Sequence, residues 1–106
     1  MPILAAIDVG SNAIRLAIGS VNGDRKLTII ENIREPVRLG QDVFKKGNIA
    51  EETIERATEA FFRFKQVIES HGAKWTKAVA TSAVREALNQ EFFIDRVSQV
   101  SGIEID

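Results

Sequence analysis

Three observations in the 106 residues predict an α/β domain built on a mixed sheet. Three short strands separated only by turns open the chain, a long amphipathic helix follows, and a further strand runs straight into more helix. A meander followed by helix-linked strands gives a sheet that is antiparallel first and parallel afterwards, with helices packed on it. With 44% hydrophobic residues and a formal net charge of −1, the chain is one ordinary domain or part of one, large enough to bury a core. That balance gives no global field for nucleic acid or an anionic membrane, so any phosphate site must be local. The absence of cysteine excludes a disulfide framework and a thiolate metal site, and the single His71 builds no zinc centre alone. The N-terminal apolar run is interrupted by Asp8 at about half the length of a signal-peptide core, and no other stretch could span a bilayer. A cytoplasmic location is the expectation, with no membrane or nucleic-acid partner.

Ile3 to Ile7 is apolar on both faces and reads as a buried central strand, which leaves Asp8 as the first side chain to resist burial and places it at the mouth. Gly10 is expected to take a backbone conformation closed to other residues. Ser11 and Asn12 add hydroxyl and amide donors beside successive backbone N–H groups, a concavity that suits an anionic oxygen. A carboxylate beside such a loop suggests a divalent cation, held largely through water and bridging to the same phosphate. An ordinary β-turn uses the same residue types, so this stretch alone leaves a phosphate-binding hairpin and a plain turn equally open.

In the second strand Ile14, Leu16 and Ile18 alternate with Ala13, Arg15 and Ala17, so Arg15 projects from the small face, as a ligand contact or as a surface charge. Asn22-Gly23 signals a two-residue hairpin, and Lys26 to Arg34 alternates as a third, antiparallel strand. Pro36 ends it, and Val37-Arg38-Leu39-Gly40 continues into a glycine-punctuated loop through Gly47. Ile54, Ala57, Phe61, Phe64, Ile68 and His71 then recur at helical spacing, with Glu52–Arg56 and Glu59–Arg63 as outer pairs. Asn48 with Glu51 suits a capping box, a start nearer Ala50 is the alternative, and Gly72 supplies the stop just after His71. Phe61, Phe62 and Phe64 read as core rather than as a base-stacking platform.

Lys77 to Ala80 is a short strand running into Thr81-Ser82, either of which can cap the next helix; a strand feeding a capped helix start is a second natural anion site. Asn89 caps a further helix whose Phe93, Val97 and Val100 share a face, Gly102 stops it, and Ile103 to Asp106 opens another strand. With nothing after that strand, the chain is expected to be a piece of a longer protein. The order β-β-β-α-β-α-α-β is the ribonuclease H-like arrangement.

Asp8-Val9-Gly10-Ser11-Asn12 with Arg15-Leu16, then Val37-Arg38-Leu39-Gly40, then Thr81-Ser82-Ala83-Val84-Arg85-Glu86-Ala87-Leu88-Asn89 together resemble the exopolyphosphatase and guanosine pentaphosphate phosphohydrolase family (Ppx/GppA). The resemblance covers nearly the whole chain. D-x-G by itself would fit any sugar kinase, chaperone ATPase or actin relative, whereas S-N-x-x-R-L with T-S-A-x-R-E-A-x-N is much more specific. The resemblance implies an actin-like fold, with residues 1–106 as its N-terminal ribonuclease H-like domain, cut before the rest of that lobe and the second lobe. It also implies hydrolysis of terminal phosphoanhydride bonds in inorganic polyphosphate or guanosine pentaphosphate, with magnesium.

Carried over by position, Asp8 helps hold the metal, Gly10, Ser11 and Asn12 cradle a phosphate, and Arg85 reaches it from the helix start beside Ser82; Arg15 and Arg38 are weaker candidates. Ala13 stands where the family commonly has a second serine, so one hydroxyl is gone. The resemblance places the catalytic glutamate and the second phosphate loop after Asp106, so no catalytic residue is expected in this stretch, which should be inactive alone. Glu86 is read as pairing with Arg85 or facing solvent. A homodimer of the complete protein is left open. The rival reading is a nucleotide-binding module of the kinase or chaperone branch, or a non-catalytic phosphate-binding fragment, and the arginine-bearing helix start discriminates between them.

Overall fold

A computed structural model describes residues 2–106. Strands β1 (Ile3–Val9), β2 (Ile14–Val21) and β3 (Leu27–Glu35) form the meander, followed by helices α1 (Leu39–Lys46) and α2 (Glu51–Ser70), strand β4 (Trp75–Ala80), and helices α3 (Ser82–Glu86) and α4 (Gln90–Ser101). The sheet order is β3-β2-β1-β4. β2 runs antiparallel to both β1 and β3, and β4 runs parallel to β1, which is the mixed sheet the sequence predicts. Of the strand expected over Ile103 to Asp106, a single parallel bridge from Ile105 to Ala78 is formed.

The core lies on one face of this sheet. Ile7, Val9, Ile14, Leu16, Ile18, Ala78 and Ala80 meet Phe61, Phe64, Phe93 and Val97 there. Alternate side chains, including Ala6, Asp8, Arg15, Lys77 and Val79, are exposed on the opposite face. β1 is therefore not buried on both faces as its composition suggests, because the buried side chains of all the helices join that one core. Phe62 departs from the predicted aromatic core and is exposed, since it follows Phe61 by one residue and points about 100° away around α2.

Local signals were overridden at several points. The β2–β3 connection is not a two-residue Asn-Gly turn. A bulge between Ile18 and Gly19 shifts the register so that Val21 pairs with Leu27, leaving residues 22–26 as the loop, and Arg25 (φ 64°) rather than Gly23 takes the left-handed conformation. The expected loop through Gly47 contains α1. Leu39 and Val43 are four residues apart and buried, Lys45 and Lys46 occupy the last turn, and Gly47 (φ 81°) supplies the left-handed stop. Asn48 makes no capping box: α2 begins after Ala50, whose N–H donates to Asp42 Oδ2 at 3.0 Å. His71 and Gly72 end α2 as expected. Its outer charges pair differently, with Arg63 Nε donating to Glu35 Oε1 at 3.2 Å across to β3 instead of meeting Glu59.

Asn89 occupies the N-cap position of α4 without capping it. Its Oδ1 accepts from Ile49 N–H at 2.9 Å and its Nδ2 donates to Ile49 C=O at 3.0 Å, so one side chain satisfies both backbone groups of a residue 40 positions earlier. Ile49 is 2% exposed, so water cannot replace those bonds. Asn89→Ala should lower stability by about 1–3 kcal/mol, the penalty for unpaired buried backbone groups. Urea unfolding beside Asn48→Ala checks this; the exposed Asn48 should change the midpoint little.

Candidate functional site

The hairpin with Gly10, Ser11 and Asn12 follows the C-terminal end of β1, and Ser82 and Arg85 follow the C-terminal end of its parallel neighbour β4. The turn between β1 and β2 is closed by Gly10 N–H donating to Ala13 C=O at 3.0 Å. Gly10 does not take the left-handed conformation expected of it; among the described residues the glycines that do are Gly47, Gly72 and Gly102. What favours glycine at this position is proximity, because a Cβ there would lie 3.2 Å from Ala13 O, a tight contact with backbone. Among the described residues neither the Ser11 nor the Asn12 N–H donates to another protein group, so two successive amides remain open for a ligand. The Ser11 carbonyl is engaged instead, accepting Gly40 N–H from α1 at 2.8 Å. Gly40 has no room for a side chain: its Cβ would stand 2.9 Å from Ser11 Cβ and 3.0 Å from the Phe44 ring.

The candidates divide between two concavities that meet at this hairpin. On the open sheet face Asp8 and Arg15 are direct cross-strand partners, and both line a hollow of about 440 Å³ with Asn32 and Lys77. Neither joins an ion pair among the described residues, where Arg63–Glu35, His71–Glu31 and Lys77–Asp106 are found. On the other side Ser11, Asn12 and Arg38 line a groove of about 350 Å³ with Gly40, Gln41, Phe44 and Lys45 from α1. Gln41 and Lys45 went unnoticed because the α1 stretch reads as loop. The signal that could have found them is the spacing of Arg38, Gln41 and Lys45, three then four residues apart, one face of a helix.

Ser82 and Arg85 line neither concavity. The helix start expected to add its own anion site is the five-residue α3, too short for an appreciable dipole, and it has no side-chain cap. The Thr81 hydroxyl donates to Val9 C=O at 3.2 Å, so it ties β4 to the hairpin rather than capping α3. Arg85 is exposed and anchored by Nε donating to Ala80 C=O at 2.9 Å. Ala80 pairs with Val9, which puts that anchor one strand away from the turn. Glu86 is exposed and forms no ion pair with Arg85 among the described residues, leaving the Arg85 Nη groups available.

Among the described residues no three His, Asp or Glu side chains converge on a point. Asp8 is the carboxylate at the mouth, and a lone carboxylate suits a hard cation that keeps most of its water and takes further oxygens from a phosphate ligand. Among the described residues no helix is long and apolar enough to cross a membrane.

Comparison with known proteins shows a match of residues 18–106 to the Ppx/GppA phosphatase family. Exopolyphosphatase 2 of Mycobacterium tuberculosis is 34% identical over 93% of this chain and 32% of its own length. The guanosine-5'-triphosphate,3'-diphosphate pyrophosphatase of Photobacterium profundum is 26% identical over 99% of this chain and 21% of its own. The crystal structure of the Aquifex aeolicus Ppx/GppA phosphatase superposes with a TM-score of 0.93 at 33% identity, covering 99% of this chain and 35% of that one. The chain thus spans about a third or less of the length of these relatives. The mixed sheet is the ribonuclease H-like half of an actin-like fold, and with the family model covering residues 18–106 the chain belongs to the Ppx/GppA phosphatases.

Proposed function

We propose that the complete protein is a cytoplasmic hydrolase of terminal phosphoanhydride bonds, releasing phosphate from inorganic polyphosphate or from guanosine pentaphosphate. The observation that carries this reading is the β1–β2 hairpin, whose Ser11 and Asn12 amides are open to a ligand and flanked by Asp8, Arg15 and Arg38. The names of the relatives, an exopolyphosphatase and a guanosine pentaphosphate pyrophosphatase, support the reaction class.

Phosphoryl transfer to water needs little covalent help from the protein; it needs the charge on the phosphate oxygens neutralised and the attacking water held in line. The open amides of Ser11 and Asn12 bind and orient the terminal phosphate. Arg85 on α3 would add its free Nη groups from the side of β4, and Nε fixed on Ala80 sets the guanidinium plane before substrate arrives. Asp8 would hold magnesium, which when bound supplies further charge neutralisation at the phosphate. The group that orients water is a glutamate outside this stretch. Residues 1–106 alone therefore bind without turning over, and phosphate release from polyphosphate by this purified piece, abolished by a chelator, would place the base within it.

Gly10→Val in the complete protein should abolish hydrolysis while the fold persists, because a branched side chain meets Ala13 O and stands where the phosphate enters. Phosphate release and the thermal midpoint, measured together, check this; near-native turnover would reduce the hairpin to an ordinary turn. Arg85→Lys should lower kcat/KM by about tenfold to a hundredfold, as expected for one charge-assisted hydrogen bond. An ammonium cannot hold the Ala80 carbonyl and also present a planar fork. The comparison is Arg63→Lys, which alters only an exposed pair with Glu35, and both substrates should be assayed. Equal activity in the two variants would remove Arg85 from the site.

A further inference from the structure

We propose that the groove between α1 and the hairpin binds the phosphates trailing behind the one cleaved, and that Lys45 sets the preference for an extended polyphosphate. The inference rests on the hydrolase reading above and extends it from the terminal phosphate to the chain. Arg38, Gln41 and Lys45 follow one another by three and four residues, so they form one stripe on α1. Arg38 at its start and Lys45 in its last turn lie roughly 10 Å apart along the axis. The two cations are thus spread along the groove, where successive phosphates of a linear polyanion can meet different ones.

The groove has its own electrostatic character. Arg38 and Lys45 are its charged lining residues, and no carboxylate accompanies them. The acidic residue of α1, Asp42, is turned to Ala50 N–H at 3.0 Å and does not line it. Lys45 forms no ion pair among the described residues. Two unneutralised cations along a hollow raise the local concentration of an anionic chain in a protein whose net charge is −1. The stripe is aligned with the hairpin by the close contact at Gly40, which brings α1 to within hydrogen-bond distance of Ser11 and makes the groove continuous with the Ser11–Asn12 amides.

A lysine near a helix C-terminus also complements the dipole, and Lys46 does that equally well without lining the groove. The two residues therefore separate the explanations. The experiment measures equilibrium binding to the complete protein, in chelator so that nothing is cleaved, of end-labelled long-chain polyphosphate and of inorganic triphosphate. Lys45→Glu should weaken long-chain binding by about three- to tenfold while leaving triphosphate within about twofold, as expected for reversing one exposed charge contact. Lys46→Glu should change neither. Equal effects of the two variants, equal loss for both ligands, or no long-chain binding by the wild-type protein would overturn the subsite. Phosphate release by the wild-type protein is scored separately: its absence refutes the hydrolase reading, while the binding comparison still decides the groove.

Discussion

The carbonyl oxygen of Val9 accepts two hydrogen bonds from Thr81, one from its N–H at 3.0 Å and one from its hydroxyl at 3.2 Å. One residue later Gly10 N–H closes the turn on Ala13, and two residues later the Ser11 carbonyl takes Gly40 N–H. The hairpin is thus tied to β4 on one side and α1 on the other, through backbone groups and the Thr81 hydroxyl. This determines what remains for a ligand. The carbonyls at Val9 and Ser11 are engaged by protein while the Ser11 and Asn12 N–H groups stay open, and successive fixed donors favour an anion. Each bond contributes only about 1 kcal/mol to stability, yet together they hold the donors in place before binding, where preorganisation counts most.

The one-sided core has an equally direct consequence. Because the buried helix residues stack on the face carrying Ile7 and Val9, strand alternation sends Ala6 and Asp8 to the other face, and the antiparallel register sets Arg15 opposite Asp8. A carboxylate and a guanidinium on facing positions, without an ion pair between them, keep separate capacities for a cation and for an anionic oxygen. Moving β2 by one residue would turn Arg15 into the core and Leu16 into solvent, so the burial of Leu16 and Ile18 is what keeps the charge in place.

How much of this was legible depended on whether the deciding contact was local. The long helix α2 was legible because Ile54, Ala57, Phe61 and Phe64 repeat over about three turns, and its stop because Gly72 needs only its own φ. The short α1 was not. Pro36, Gly40 and Gly47 read as breakers within a dozen residues, yet Gly40 is there for the hairpin that touches it and Gly47 for the helix stop. Asn89 carries the local signature of a cap, but its side chain is taken by Ile49 from the far end of another connection. At Gly10 the residue type was legible and its reason was not, since a tight contact with Ala13, rather than a special dihedral, disfavours a side chain. The candidate residues could be named from motifs, whereas their division into two hollows, with Arg85 anchored beside them, depends on strand pairing and on α1.

Charge placement shows the same separation of local from global. The chain has 14 basic and 15 acidic residues, a composition that gives no global field for a polyanion. Ionic screening at physiological salt acts over about 8 Å, so the field at the hairpin is set by side chains within about that distance and hardly by the acidic outer face of α2. Of the carboxylates, Asp42 accepts the Ala50 N–H and lines neither hollow, Glu86 lines neither hollow, and Asp8 lines the one on the open sheet face. What the groove itself offers is Arg38, Lys45 and two open amides. A near-neutral protein can therefore present a groove whose charged lining residues are all cations, and net charge is the wrong quantity by which to judge it.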